Sequence, residues 1–421
     1  MRETKDSEVE WIGEVPQNWK QSKVKYLMSL TNGRAYKQQE LLAKGTYRVL
    51  RVGNFNTNDK WYYSDLELPE KQYCEKGDLL YLWATTFGPA FWNEEKVIYH
   101  YHIWKVDRFR NYLQRYAFYA LDANAEWQRM QSHGSTMVHV TKEGVENTMF
   151  PVPALPEQRR IVAFLDERCA AIDADIAKRR EVIEKLGEYK RSFIARAVTK
   201  GLDSDAEMKD SGIKWTTTIP SNWQTAKLKT LFEVTKRIAG VDGLTVLSIT
   251  QDGIKPKDFS TGKGQFAETY SHYQLVRRGD FAMNHMDLLT GWVDISSYDG
   301  VTSPDYRVFV TRDTTVSNPK YFLYLFQMCY LNRIFFGSAN GVADKGRMRL
   351  QTNAFNNFVV PLPPLEEQKR IAAYLDERCV EVDEAILRQE QLIAKLEEYR
   401  KSLIYHAVTG KIDCREEANA R

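Results

Sequence analysis

Lysine and arginine stand beside aromatic residues at several points in this 421-residue chain, a pairing with a definite chemistry. Arg34, Tyr36 and Lys37 follow a Thr31-Asn32-Gly33 turn, and Lys60, Trp61 and Tyr62 adjoin a polar stretch from Asn54 to Asp59. The second half offers Lys236 and Arg237, Lys255 and Lys257, Lys263, and the run Lys345, Arg347 and Arg349. Cationic side chains neutralise phosphates and hydrogen-bond guanine edges, while aromatic rings give flat contact surface. These residues are therefore candidates for a nucleic-acid contact; the plainer alternative for each is a solvated surface charge.

Residue sets that would carry catalysis are missing from the sequence. Nothing matches G-x-x-x-x-G-K-[ST]; Gly262-Lys263-Gly264 is glycine-rich but lacks the rest of a phosphate loop. Asn318-Pro319-Lys320-Tyr321 departs from the N-P-P-[FY] tetrapeptide of amino-methyltransferases. His100 and His102 have the spacing of one strand face, yet no third ligand stands nearby, so a structural strand is expected. Cys74, Cys169, Cys329, Cys379 and Cys414 never form a C-x-x-C pair and read as reduced thiols, with Cys169 and Cys379 as apolar fillers. The expectation is a chain that is not itself an enzyme and binds no metal or cofactor.

The net charge of +3 is unevenly spread: +1 over 1–150, 0 over 151–208, +5 over 209–360 and −3 over 361–421. Any anion-binding surface is then a local patch. No apolar run approaches the ~20 residues that span a bilayer, and the opening MRETKDSEVEW is polar where a signal peptide is apolar. A cytoplasmic protein with no membrane partner is expected.

The elements that position the candidates follow from an internal repeat. KDSEVEWIGEVPQNWKQSKVKYL at 5–27 returns as KDSGIKWTTTIPSNWQTAKLKTL at 209–231, aligning Trp11 with Trp215, Pro16 with Pro220 and Trp19 with Trp223. PVPALPEQRRIVAFLDERC from Pro151 returns as PLPPLEEQKRIAAYLDERC from Pro361, and the match runs without a gap to Asp203 and Asp413. The segments between these blocks diverge. The chain reads as a tandem duplication with variable interiors.

Each second block predicts one long helix. Ile161, Leu165, Ile172, Ile176, Ile183, Leu186 and Phe193 form an apolar stripe whose steps sum to sevens, and Ile371, Leu375, Val382, Ile386, Ile393, Leu396 and Leu403 repeat it. That spacing makes one helix face seek another. A helix from about Glu157 to Val198 would be roughly 60 Å long at ~1.5 Å per residue, and Pro156 and Glu157 suit its first turn. The interiors read as mixed α/β. Strands are expected over Tyr47 to Val52, Leu79 to Trp83, Tyr99 to Val106, Leu244 to Ile249 and Tyr306 to Val310, and helices over Tyr112 to Arg129 and Pro319 to Phe335.

The expected fold class is α+β: two globular mixed α/β domains separated by two long helices packed as an antiparallel coiled coil, with pseudo-twofold symmetry. The expected boundaries are 1–150 and 208–360 for the domains, 151–207 and 361–413 for the helices, and 414–421 for a polar tail.

The motif P-x-P-P-L-x-E-Q-x-R-I followed by a long helix, twice per chain, resembles the type I restriction-modification DNA-specificity (S) subunit family. Pro361 to Ile371 matches it fully, while Pro151 to Ile161 departs at Ala154 and Pro156. W-x-x-x-[VI]-P-x-x-W at each domain entrance resembles the family's segment ahead of a target-recognition domain. The resemblance implies a reader of double-stranded DNA whose two domains each take half of a bipartite site, with the helices setting the spacer. It also implies docking of two modification subunits and two restriction subunits, which use S-adenosylmethionine, ATP and Mg2+ for adenine methylation, translocation and cleavage. A coiled-coil scaffold, or an orphan DNA-binding protein without restriction partners, is the alternative.

Overall fold

The computed structural model describes residues 2–55, 59–84, 87–131, 141–259, 268–337 and 348–414. The chain divides into two compact units, Met1–Arg179 with Glu390–Arg421, and Arg180–Gln389. Each combines a mixed α/β domain with parts of two long helices, and each is described by itself.

In the first unit, strands β1 (Ser29–Asn32), β2 (Leu79–Leu82), β3 (Gly88–Phe91) and β4 (Ile103–Asp107) form a sheet in the order β1-β4-β2-β3. Every residue of β2 is buried, because the strand has a core on each face. Leu79 and Tyr81 pack into a cluster with helix α1 (Gln114–Gln131), whereas Leu80 and Leu82 pack with Leu50, Trp92, Val97 and Tyr99. The alternation of a strand supplies both sets. A second sheet pairs Tyr62–Ser64, Tyr47–Leu50, Val97–Tyr99 and Tyr73–Cys74.

The strand expected over Tyr99 to Val106 is two strands. The Ile103 N–H bonds the His100 carbonyl at 3.0 Å and Tyr101 N–H bonds the Arg34 carbonyl at 3.0 Å, so the chain turns between the two sheets. His100 and His102 therefore sit on that turn rather than on one strand face.

In the second unit, β5 (Phe232–Thr235), β6 (Phe281–Met283), β7 (Val293–Ile295) and β8 (Arg307–Thr311) form a sheet in the order β5-β8-β6-β7. Phe281, Met283 and Phe309 face helix α3 (Pro319–Leu331), and Ala282 and Val308 face a cluster containing Leu247 and Ile254. Helix α3 stops short of the expected Phe335 because Arg333 takes φ +54°, a left-handed conformation that does not continue a right-handed helix. Its start is capped by Asn318, whose side chain accepts from the Tyr321 N–H.

The long helices are α2 (Leu155–Lys200) and α4 (Leu365–Val408). In the first unit Ile161, Leu165, Cys169, Ile172 and Ile176 share a buried cluster with Leu403, Ile404, Ala407 and Val408, with Ile393 and Leu396 partly buried against it. In the second, Phe193, Ile371, Leu375, Cys379 and Val382 are buried together, and Leu186 and Ile386 are partly buried there. Ile183 is half-buried and joins neither cluster. All five cysteines are buried.

The glutamine of the E-Q-x-R segment explains how each helix start is fastened to its domain. Gln158 accepts from the Leu113 N–H at 2.8 Å and donates to the carbonyls of Asn111 (3.0 Å) and Pro153 (2.9 Å). Gln368 does the same with the Asn318 N–H (2.7 Å) and the Val316 and Pro363 carbonyls (2.9 Å each). Both side chains are fully buried, and each satisfies backbone groups of a loop that has no ladder to pair with. The Trp-Pro-Trp segment completes the joint in the first unit. The Trp19 indole donates to Glu157 at 3.0 Å, and Gly410, at φ +78°, lets Pro16 and Trp19 approach where a Cβ would meet Pro16 at 2.5 Å.

Candidate nucleic-acid interface

The structure sorts the candidate cations by what already occupies them. Arg34, just past β1, makes a two-pronged ion pair with Glu40 (3.0 and 2.8 Å) and lies over the Tyr36 ring. The guanidinium holds the Glu40 carboxyl below the usual carboxylate range. Arg237 is paired with Asp280, a buried carboxylate that also accepts the Arg277 N–H. These two arginines shape loops, and their charge is largely neutralised locally. Lys37 and Lys236 are exposed.

Trp61 and Tyr62 belong to an aromatic and cationic group that the sequence left incomplete. Arg48 lies over Trp61 (4.7 Å to the ring centre), and Arg51 lies over Tyr62 (4.3 Å). Arg48 and Arg51 were not among the candidates, because their contacts depend on the antiparallel pairing of Tyr47–Leu50 with Tyr62–Ser64. Lys60 is exposed and its carbonyl accepts from the Asn54 side chain.

Lys255 and Lys257 are brought together in an open cleft of ≈ 900 Å³, where Ser248, Thr250, Asn284 and Asp305 also stand. The hairpin Leu247–Thr250 with Gly253–Pro256 forms one wall. Asp252, 4.0 Å from Lys255, and Asp258 and Asp287 line it as well, so a phosphate can be held only at the two lysines, while the hydroxyl, amide and carboxylate groups can hydrogen-bond base edges. Lys236, Arg237 and Arg349 are not among the described residues that line this cleft.

Arg349 is exposed but its backbone is pinned on both sides. The Leu288 N–H bonds the Met348 carbonyl (3.2 Å) and the Leu350 N–H bonds the His285 carbonyl (3.0 Å). Arg307 donates to the Leu350 carbonyl at 2.9 Å from a buried position over the Phe355 ring. Burial lowers the Arg307 guanidinium to about 10, and the same cause lowers the His285 imidazole to about 3, with Arg307 and Arg349 adding to the effect. Lys263, Lys345 and Arg347 lie outside the described residues.

Among the described residues no three His, Cys, Asp or Glu side chains are grouped as a metal site would require. The His100 and His102 rings are 4.8 Å apart, and burial, then the charge of His102 and of Arg51, lowers His100 to about 4. No helix is long and apolar enough to cross a membrane among these residues.

Comparison with known proteins gives this geometry its class. Residues 16–185 and 220–398 each match the model of the type I restriction modification DNA specificity domain, so the chain carries two DNA-specificity domains in tandem. It belongs to the type I restriction-modification specificity subunit family, whose role is that of the DNA-binding specificity subunit of the complex. It is similar to the type I restriction enzyme EcoBI specificity subunit of Escherichia coli, at 21% identity over 417 residues, 94% of this chain and 86% of the relative. It is also similar to the MjaVIII specificity subunit of Methanocaldococcus jannaschii, at 25% identity over 360 residues, 80% of this chain and 79% of that one. The fold is shared with a chain from a solved type I restriction-modification system, with TM-score 0.65 and 16% identity over 94% of this chain and 99% of the other.

Proposed function

We propose that each globular domain reads one half of a bipartite double-stranded DNA site, with recognition domains over 1–150 and 208–360, spacer helices over 151–207 and 361–413 and a polar tail over 414–421. The helices pack as an antiparallel coiled coil with pseudo-twofold symmetry, set the unread spacer and dock two modification subunits. Two restriction subunits complete a cytoplasmic assembly. S-adenosylmethionine, ATP and Mg2+ belong to the partners; this chain supplies the address. Arg34, Lys37, Lys60, Trp61 and Tyr62 serve the first half-site, and Lys236, Arg237, Lys255, Lys257, Lys263, Lys345, Arg347 and Arg349 the second, Arg34 and Arg237 by shaping the loops that carry their neighbours.

The observation that carries the reading is a reciprocity of helix contacts. Lys190 pairs with Asp383 at 2.7 Å, and Arg400 pairs with Asp173 at 3.0 Å. Lys190 and Asp173 occupy the repeat positions of Arg400 and Asp383, so each contact is the other with its partners exchanged. Tyr321 and Tyr116 likewise donate to the carbonyls of the repeat-equivalent Val198 and Val408, both at 2.9 Å. Such an exchange of partners within the two units supports the reading of a twofold arrangement, which would match the symmetry of duplex DNA.

Equilibrium binding to duplex DNA at several salt concentrations tests the DNA-contact assignment. Lys255→Ala, Lys257→Ala and Arg349→Ala are each expected to lower the slope of log K against log salt by about 0.9, the release belonging to one phosphate contact. A slope unchanged in all three would remove them from the interface.

A further inference from the structure

The two units carry the same joint between domain helix and long helix, but one of the joints is open. In the first, Asp166 of α2 accepts from Arg115 (2.7 Å) and Tyr119 (2.6 Å) of α1; in the second, Asp376 of α4 accepts from Tyr324 (2.9 Å) and Lys320 of α3. That correspondence aligns Asp122 with Gln327 and Glu126 with Leu331 one and two turns further on. In the first unit both acids are used: Arg400 lies 4.0 Å from Asp122, and Lys401 pairs with Glu126 at 3.1 Å. In the second unit Gln327 turns to the Val293 carbonyl, and Leu331 is 46% exposed. Arg191, at the repeat position of Lys401, has no acidic partner among the described residues. Gly187 stands where the other copy has Glu397, which removes a further side chain.

The result is a groove of ≈ 740 Å³ in the second unit, lined by Gly187, Arg191, Trp292, Met328, Leu331 and Val380, the last 57% exposed. Its other cations are already matched, Lys190 by Asp383 and Lys320 by Asp376. With those two pairs closed, Arg191 is the one cation left among the described lining residues, too little charge for a DNA backbone, and the apolar floor has nothing to offer a phosphate. An amphipathic peptide segment with apolar anchors and one carboxylate fits both features, the carboxylate taking Arg191 in the manner of Glu126 with Lys401.

We propose that this groove receives an acidic amphipathic segment of one modification subunit, so that the two docking positions on this chain are unequal and fill in order. The proposal rests on the reading that modification subunits dock on the helices. The first unit offers the same segment only a joint whose cations are already paired.

The test uses the full chain and its modification subunit, with native mass spectrometry for stoichiometry and titration calorimetry for the stepwise constants. The wild-type chain is expected to bind two copies, with the first step tighter than the statistics of two equal sites allow. Leu331→Glu places a carboxylate beside Arg191 and should weaken that first step by about tenfold or more, and Arg191→Glu should do the same by repelling the incoming acid. Glu126→Leu is expected to tighten the second step. Leu331 and Arg191 are on the surface, and unfolding midpoints equal to wild type check that the variants are folded. Equal steps in the wild type, or steps indifferent to all three changes, overturn the proposal while leaving docking itself intact. Loss of DNA affinity by the Arg191 variant with no modification subunit present overturns it in favour of a DNA contact. A wild-type chain that binds no modification subunit brings down the docking reading as well.

Discussion

Replacing Gln368 by leucine should cut the second domain loose from the start of α4 without altering the volume of the core. The side chain is fully buried and makes three hydrogen bonds, at 2.7, 2.9 and 2.9 Å, to a loop amide and two carbonyls. Leucine has a similar size and satisfies none of them. An orphaned buried polar group costs about 1–3 kcal/mol. The bond to the Pro363 carbonyl is wholly buried, whereas the Asn318 and Val316 bonds are partly buried and water can reach them after a small opening. The expected loss is therefore ~2–5 kcal/mol, short of the full three-group sum. Urea unfolding measures the loss, and hydrogen exchange localises it to the Asn318 amide, which gives up its acceptor directly. Gln368→Glu is an informative partner variant: it keeps an acceptor for that amide but turns a carboxylate oxygen toward two carbonyls, so it should be at least as damaging. Gln158→Leu should move the effect to the Leu113 amide of the first unit. A loss below about 0.5 kcal/mol with Asn318 still protected would refute the claim that the glutamine fastens helix to domain.

The other expectations concern spacing and pH. Adding seven residues after Lys185 and seven after Lys395 keeps the apolar stripe in phase and lengthens each helix by roughly 10 Å, so the unread spacer of the methylated site should grow by about three base pairs; methylome sequencing with an unchanged spacer would show that the helices do not measure distance. The folded state holds His285 at about 3 against an ordinary 6.5, so the unfolded chain takes up a proton first as pH falls. Stability is complete above about pH 6.5 and is lost below it, by up to about 1.4 kcal/mol per pH unit for this one group, down to the folded value. His285→Asn should flatten that part of the stability profile, while a profile identical to wild type would place the acid sensitivity elsewhere, with His100, held at about 4, the next group to change.

What the sequence disclosed was whatever repeats or has a period. The stripes of the two long helices are legible because seven-residue steps are local, and the helix limits follow within two residues, Leu155–Lys200 against an expected Glu157 to Val198. Strands β2 and β8 are legible from their residue types and alternation, expected over Leu79 to Trp83 and Tyr306 to Val310, whereas β6 was not expected. Partners distant in sequence are not. That Gln158 serves Asn111 and Leu113, or that Asp280 has already claimed Arg237, depends on chain segments brought together only by folding. Arg48 and Arg51 escaped notice because they sit inside an otherwise apolar strand run, where the neighbouring tyrosines and leucines dominate the pattern. The break between Val97–Tyr99 and Ile103–Asp107 was hidden by residues that all favour strands, since the turn is made by backbone bonds to Arg34 and His100 rather than by glycine or proline.

The central claim is that each domain addresses one half of the DNA site. Residues 28–150 exchanged for the equivalent interior of another specificity subunit, in cells that supply the modification subunit, put it to the most direct test through methylome sequencing. One half of the methylated motif should change while the other half and the spacer length stay as they were. Both halves altered, or neither, would contradict the account.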